Sequence, residues 1–106
     1  MARTAHKLRV PPALAALIRG LHPHIKRKLR GALEAVAADP GCGKALREEL
    51  SGLWSLRVGR FRLIYRTAAG RRIELVAFGP RERIYEETLR LLAAGRRKAK
   101  NPRNGG

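Results

Sequence analysis

The chain has 106 residues, and 24 Lys and Arg against 8 Asp and Glu leave a formal net charge of +16. This length has room for one domain, and 44% hydrophobic residues can fill its core, which excludes a chain disordered throughout. Its apolar stretches are too short to span a membrane, and its first residues lack the apolar core of a secretory signal. We therefore expect a cytoplasmic protein with no membrane partner.

The positive charge indicates what the protein binds. A small domain needs a net charge of only about 2 to 8 to remain soluble, whereas this chain carries +16. Such a field attracts polyanions and concentrates them at the protein surface. The expected partners are nucleic acid, a ribonucleoprotein or an acidic protein.

Two helices are predicted in the first half of the chain. Apolar residues repeat with helical spacing between Pro11 and Gly20 and again over residues 25–38. Proline is typical of a helix start, and Asp39-Pro40-Gly41 stops the second pattern. The two segments predict a helical hairpin.

The second half changes to a period of two residues. Residues 53–58, 60–66 and 72–78 are rich in branched and aromatic side chains, with turn residues between them. Three strands with short connections predict an antiparallel meander. Residues 6–10 alternate as a short strand would, and residues 45–50 fit either a helical turn or an extended segment.

Helical spacing returns over residues 81–94, and Gly95 is a plausible C-cap. Residues 96–106 hold five positive charges and no core former, which predicts a disordered basic tail after a domain of residues 1–95. The predicted fold class is a small α+β domain with helices on one face of the sheet. In it an N-terminal helical hairpin packs on a three- or four-stranded antiparallel sheet, and a C-terminal helix follows.

Strand alternation divides the predicted middle strand into two faces. Phe61, Leu63 and Tyr65 point to the core, and the opposite face is rich in arginine, interrupted only by Ile64. A concave basic surface can collect six arginines near this hairpin and just after the last strand: Arg57, Arg60, Arg62, Arg66, Arg81 and Arg83. Arginine grips phosphate through two parallel hydrogen bonds and stays charged when partly desolvated. The alternative is that these arginines face water and pair with nearby carboxylates.

Metal chemistry has little support in the sequence. The three histidines, His6, His22 and His24, lie near the N-terminus without acidic residues at metal-ligand spacing. Cys42 is the only cysteine, so no intramolecular disulfide or cysteine-built metal site can form. The few carboxylates show no ligand set for a two-metal nuclease. We expect no metal and no cofactor.

Two motifs carry a family resemblance. Arg57 to Tyr65 reads R-x-G-x-F-R-hydrophobic-hydrophobic-Y, and Arg81 to Tyr85 reads R-x-x-x-Y. In this order, in a small basic chain with a preceding helical hairpin, they resemble the RelE/ParE superfamily of toxins from type II toxin–antitoxin systems. The resemblance covers roughly residues 6–94.

The resemblance implies a compact microbial RNase-like fold whose RelE-type members enter the ribosomal A site and cleave the messenger without a metal. The messenger's 2′-hydroxyl attacks the adjacent phosphate, which requires proton removal, charge neutralisation and protonation of the departing 5′ oxygen. By position Arg62 and Arg81 match the family's phosphate-stabilising arginines, and Arg57 is a weaker match. Tyr85 matches a tyrosine that orients or deprotonates the nucleophile or stacks on a base, helped by positive charge nearby. These assignments make Arg62, Arg81 and Tyr85 the candidate catalytic residues and Arg57, Arg60, Arg66 and Arg83 the candidate nucleic-acid contacts.

Two departures from the family pattern keep other functions open. RelE-type enzymes commonly carry lysines where this chain has Trp54, Ser55 and Leu56, and other relatives have a histidine where it has Pro80. The alternatives are a ParE-like inhibitor of DNA gyrase that acts by protein contact, and an inactive relative that binds nucleic acid. The resemblance further implies a cognate antitoxin, with the toxin monomeric alone and in a higher-order complex with that antitoxin. An endonuclease would also contact the ribosome and messenger RNA.

Overall fold

A computed structural model describes residues 6–100, with side chains described for residues 6–95. Over this range the chain forms three helices and five strands. In chain order they are β1 (Lys7–Arg9), α1 (Pro12–Arg19), α2 (Pro23–Ala38), β2 (Lys44–Ala45), β3 (Trp54–Val58), β4 (Phe61–Ala68), β5 (Arg72–Pro80) and α3 (Ile84–Lys100). Short 3-10 turns at Pro40–Cys42 and Glu48–Leu50 lie on either side of β2.

The five strands form one mixed sheet in the order β1-β5-β4-β3-β2. The predicted meander is confirmed, because β3 pairs with β4 and β4 with β5 in antiparallel register. The strand predicted at residues 6–10 is also present, but β1 lies parallel to β5. The sheet thus has five strands and one parallel pair, where the sequence predicts three or four antiparallel strands. The sequence does not predict β2 because a strand of two residues is too short to leave an alternation pattern.

Helices cover both faces of the sheet, so the prediction that they share one face was wrong. On one face α1 and α2 bury Leu14, Leu29 and Val36 against a core that includes Leu63 and Tyr65. On the other face α3 brings Ile84 into a smaller core with Leu53, Ile64 and Ala77. The predicted open arginine face is thus partly apolar, and α3 is the helix that keeps water from it.

The last helix extends further than its pattern predicts. α3 runs to Lys100 and passes through Gly95, so the predicted C-cap at this glycine was wrong. Apart from the backbone of α3 itself, no atom of the described residues lies within 4 Å of a Cβ built on Gly95. Of the predicted basic tail, residues 96–100 are helical, and residues 101–106 lie outside the described residues.

Tyr65 ties the loop between α2 and β2 to the sheet. Its buried hydroxyl donates a hydrogen bond of 2.6 Å to the Pro40 carbonyl and accepts one of 3.2 Å from the Gly43 amide. Its ring stacks on Trp54 at a centroid distance of 6.4 Å. Burial raises the pKa of Tyr65 to about 12, because the phenolate would lose its solvation. This loop leads into β2, which pairs with β3 at Ser55.

Candidate nucleic-acid interface

Two chain reversals meet at one end of the meander and form a cleft. Gly59 lies in the β3–β4 turn with a positive φ of 63°, which favours glycine over any L residue. The chain leaves β5 at Pro80, opposite Phe61, and the Arg81 amide donates to the Arg60 carbonyl at 3.1 Å. This bond holds the β5–α3 turn against the β3–β4 turn.

The cleft encloses about 400 Å³ and is lined by four arginines and one carboxylate. Its charged lining residues are Arg57, Arg60, Arg62, Arg81 and Glu82. Register explains the grouping, since Arg57 pairs directly with Arg62 across β3 and β4. A concave site with four guanidinium groups attracts a phosphate and can hold it by several charge-assisted hydrogen bonds.

Lys28 adds positive charge beside this cleft. Its side chain reaches from α2 to the β3–β4 turn, where a Cβ built on Gly59 would lie 3.7 Å from the Lys28 Nζ. Gly59 itself lines the cleft. Helical periodicity in the sequence cannot show that Lys28 reaches this turn of the sheet.

A chain of hydrogen bonds connects the cleft to the start of α3. The Arg62 Nη1 donates to the Ser55 Oγ over 3.4 Å, and this oxygen lies 3.2 Å from the Tyr85 hydroxyl. Ser55 is 1% exposed, so this path of hydrogen bonds crosses the interior between β4 and α3. Arg62 and Tyr85, two of the three predicted catalytic residues, are therefore joined through Ser55.

Arg62 retains a donor that the described structure does not use. Its Nε is buried and has no hydrogen-bond partner among the described residues. Buried donors without partners are rare in folded proteins, because each one loses its bond to water. The guanidinium therefore keeps hydrogen-bonding capacity beyond its contact with Ser55.

The structure brings together most, but not all, of the predicted site residues. Arg57, Arg60, Arg62 and Arg81 line the cleft, and Tyr85 connects to it through Ser55. Two predicted contacts are not among the residues that line the cleft. Arg66 forms an ion pair of 2.9 Å with Glu74, and Arg83 is exposed on the turn that carries Arg81 and Glu82. The structure therefore does not bring Arg66 into the cleft, and a nucleic-acid contact by Arg83 stays a prediction.

Arg66 belongs to a different part of the molecule. Four residues along β4 from Arg62 correspond to about 13 Å of strand. There Arg66 lines a second groove of about 630 Å³, formed with Arg9 and the apolar side chains of β5 and α3. Its partner Glu74 stands opposite on β5, which is the pairing that the sequence left open as an alternative.

Ser55 is the site residue that sequence reasoning missed. In the sequence it stands out only as one of three residues, Trp54, Ser55 and Leu56, at which the family resemblance leads to an expectation of lysine. Strand alternation does place Ser55 on the face opposite Trp54 and Leu56, across from Ile64. A small polar residue on a face that α3 covers needs a hydrogen-bond partner, and here it has both Arg62 and Tyr85.

Metal-binding and membrane-spanning features are both missing from the described residues. Within that range, no three His, Cys, Asp or Glu side chains are grouped as metal ligands would be. None of the described helices combines the length and the apolar character that a membrane span requires.

The fold and cleft define a small α+β protein with a strongly basic site at one end of an antiparallel meander. Residues 13–85 match the family model of the ParE toxin of the type II toxin–antitoxin system parDE. This match covers more than half of the chain. The protein therefore belongs to the ParE toxin family, within the RelE/ParE superfamily, and is a toxin of a type II toxin–antitoxin system.

Solved structures support the same fold. A chain of the RelBE2 toxin–antitoxin complex from Mycobacterium tuberculosis is 26% identical with a TM-score of 0.64, over 73% of this chain and 99% of that chain. The isolated Escherichia coli RelE toxin is 19% identical with a TM-score of 0.64, over 83% of this chain and 99% of that chain. A chain of the archaeal RelE–RelB complex from Pyrococcus horikoshii is 17% identical with a TM-score of 0.62, over 74% of this chain and 98% of that chain. Among curated proteins, no sequence matches the chain significantly.

Proposed function

We propose that this toxin is a ribosome-dependent messenger endonuclease that inhibits translation. The observation that carries the proposal is the hydrogen-bonded chain from Arg62 through Ser55 to Tyr85, which leads out of a cleft lined by four arginines. A surface that only bound nucleic acid would need the cations but not a buried path to a phenol. The arginine cleft offers phosphate binding, and the hydrogen-bonded path offers a group able to move a proton.

The arginines perform the electrostatic part of the reaction. When the 2′-hydroxyl attacks, negative charge builds up on the phosphate oxygens, and fixed donors aimed at them lower the barrier. Arg62 lies on β4 and Arg81 on the turn after β5, so they approach the cleft from two elements. Arg57 and Arg60 hold the neighbouring backbone. Removing one such donor typically costs about 10²- to 10³-fold in rate.

Tyr85 performs the proton transfer to the leaving group. A guanidinium can only donate, so Arg62 donates to the Ser55 Oγ. The serine proton is then available to the Tyr85 oxygen, since either hydroxyl of that pair can donate. This direction leaves the phenolic proton free to be given to the departing 5′ oxygen, and it stabilises the phenolate that remains.

The partner of the free toxin is a cognate antitoxin. The similar structures from M. tuberculosis and P. horikoshii are toxin–antitoxin complexes. With a net charge of +16, this chain favours an acidic antitoxin segment over its basic surface. We expect an acidic protein to be encoded beside this gene, a monomeric toxin alone, and a higher-order complex with the antitoxin. A gene with no small neighbouring reading frame would contradict this.

Primer extension on a reporter messenger in a translating extract tests the proposal. The variants are Arg81→Ala and Tyr85→Phe, and the matched control is Arg72→Ala. Arg72 begins β5 and Arg81 follows its end, about 25 to 30 Å away by strand rise. We expect discrete cuts at A-site codons for the wild type and the control, loss of cuts in Arg81→Ala, and fewer cuts in Tyr85→Phe. An uncut messenger with the wild type refutes the proposal.

Inhibition of DNA gyrase by protein contact is the second candidate, and the match of residues 13–85 to the ParE family model favours it. A supercoiling assay with purified gyrase separates the two. Inhibition that survives Tyr85→Phe, together with an uncut messenger, would assign this function. Binding of RNA without either activity would identify a non-catalytic relative.

A further inference from the structure

Glu82 occupies an unexpected place for a carboxylate. Among the described residues it is the only acidic side chain that lines the arginine cleft. It is exposed, and within residues 6–95 it takes part in no ion pair, although Arg66–Glu74 and Arg90–Glu86 pairs do form. The other carboxylate near this end of β5, Glu87, lies on α3 against Gly79 rather than in the cleft.

A negative charge in this position weakens phosphate binding. The carboxylate repels the nucleic-acid backbone, and it offsets part of the field of the four arginines. A neutral or basic residue would serve binding better. What a carboxylate provides and arginine cannot is a proton acceptor, because a guanidinium has no free lone pair to offer.

We propose that Glu82 is the general base that removes the proton from the attacking 2′-hydroxyl. This inference rests on the proposed endonuclease function. With a phosphate held by the arginines, the adjacent ribose would reach the wall of the cleft, to which Glu82 belongs. The same chemistry needs a base, and the cleft contains this one carboxylate among its described lining residues.

The step balances as follows. A Glu82 carboxylate oxygen takes the 2′-hydroxyl proton while the 2′ oxygen forms a bond to phosphorus. The bond from phosphorus to the 5′ oxygen breaks, and that oxygen takes the phenolic proton of Tyr85. The products are a 2′,3′-cyclic phosphate and a 5′-hydroxyl end. Water then carries the proton from Glu82 back to the Tyr85 phenolate.

Charge removal at Glu82 separates a base from an electrostatic residue, because the two roles predict opposite effects. The variants are Glu82→Gln and the control Glu34→Gln, which makes the same change in net charge on the exposed side of α2. Cleavage is measured in a single turnover on ribosomes carrying a messenger. Binding is measured on the same complex with a messenger that has a 2′-deoxy nucleotide at the cleaved position and cannot react.

We expect Glu82→Gln to bind the unreactive messenger complex as tightly as Glu34→Gln or more tightly, and to cleave at least about 100-fold more slowly. Cleavage by Glu82→Gln at the rate of the control overturns the inference. A loss of cleavage that merely follows a loss of binding also overturns it.

Added formate provides the second readout. Glu82→Ala leaves space for a small carboxylate, and formate should restore part of its cleavage while leaving the wild type unchanged. Failure of formate to restore cleavage, with binding intact, would assign Glu82 a positioning role and not that of the base. A wild type that leaves the messenger uncut is a distinct result, since it refutes the proposed function itself.

Discussion

Alkaline titration of Tyr65 tests the structure at the loop that supports the site. The Tyr65 hydroxyl donates to the Pro40 carbonyl at 2.6 Å, and its ring lies in the core beneath α1 and α2. Burial disfavours the phenolate and raises the pKa of Tyr65 from 10.0 to about 12, and the neighbouring Cys42 adds to the effect. Deprotonation would also remove the donor on which the Pro40 bond depends.

The magnitude follows from the linkage between protonation and folding. Because the pKa of Tyr65 is higher in the folded protein, its stabilisation is fully present below pH 10 and is lost as the pH rises towards about 12. A difference of about two pKa units corresponds to about 3 kcal/mol of unfolding free energy. A domain of this size is typically stable by about 5 to 15 kcal/mol, so the loss is measurable.

Tyr85→Phe provides a clean assay, because the chain has two tyrosines and Tyr65 is then the only one left. We expect its phenolate absorbance to appear near pH 12, or earlier only together with unfolding. The unfolding free energy measured in urea should fall between pH 8 and pH 11. In the control, Tyr65→Phe, it should fall less over the same range. Titration of Tyr65 at the ordinary phenol pKa in the folded protein would refute the account of its burial.

Three further substitutions and one control, Leu91→Ala, probe the packing and the hydrogen-bonded path. Ser55→Ala should slow cleavage while lowering the unfolding free energy by no more than about 1 to 3 kcal/mol. In single-turnover assays, the double variant Ser55→Ala with Tyr85→Phe should cleave no more slowly than Tyr85→Phe alone. A Cβ at Gly43 would lie 2.9 Å from the Ser55 carbonyl oxygen, so Gly43→Ala should lower the unfolding free energy by about 1 to 3 kcal/mol in urea. Ile84→Ala removes a side chain with 0% exposure and should cost about 2 to 5 kcal/mol in the same measurement, whereas Leu91→Ala, at 52% exposure, should change it by less than about 0.5 kcal/mol.

The sequence predicts most elements of the fold because their periods are distinct. The change from helical spacing to strict alternation after Ser51-Gly52 marks the start of the meander, and the three strands lie where it indicates. The layer arrangement was harder to predict. A single apolar residue, Ile64, interrupts the arginines of β4, and one residue cannot show that a helix covers that face. The structure shows that it does, since Ile64 is 0% exposed and packs with Ile84 of α3.

The site was predictable where strand register alone determines it. Arg57 and Arg62 come together because a tight turn at Gly59 makes them direct partners. Register does not show which side chains lie opposite at longer range, so Arg66 was assigned to the same surface although Glu74 on β5 pairs with it. A contact through a third side chain leaves no periodic signal either, which is why Ser55 was missed.

The position of Tyr85 makes the proposed activity depend on the docking of α3. Tyr85 is the second residue of that helix, directly after the buried Ile84. The Ser55 hydroxyl belongs to β3, so the path from Arg62 to Tyr85 is complete only while α3 lies on the sheet. Ile84→Ala should therefore lower cleavage as well as stability, even under conditions where the protein remains folded. If Ile84→Ala cleaves at the wild-type rate while its unfolding free energy falls by several kcal/mol, the hydrogen-bonded path is not part of the mechanism.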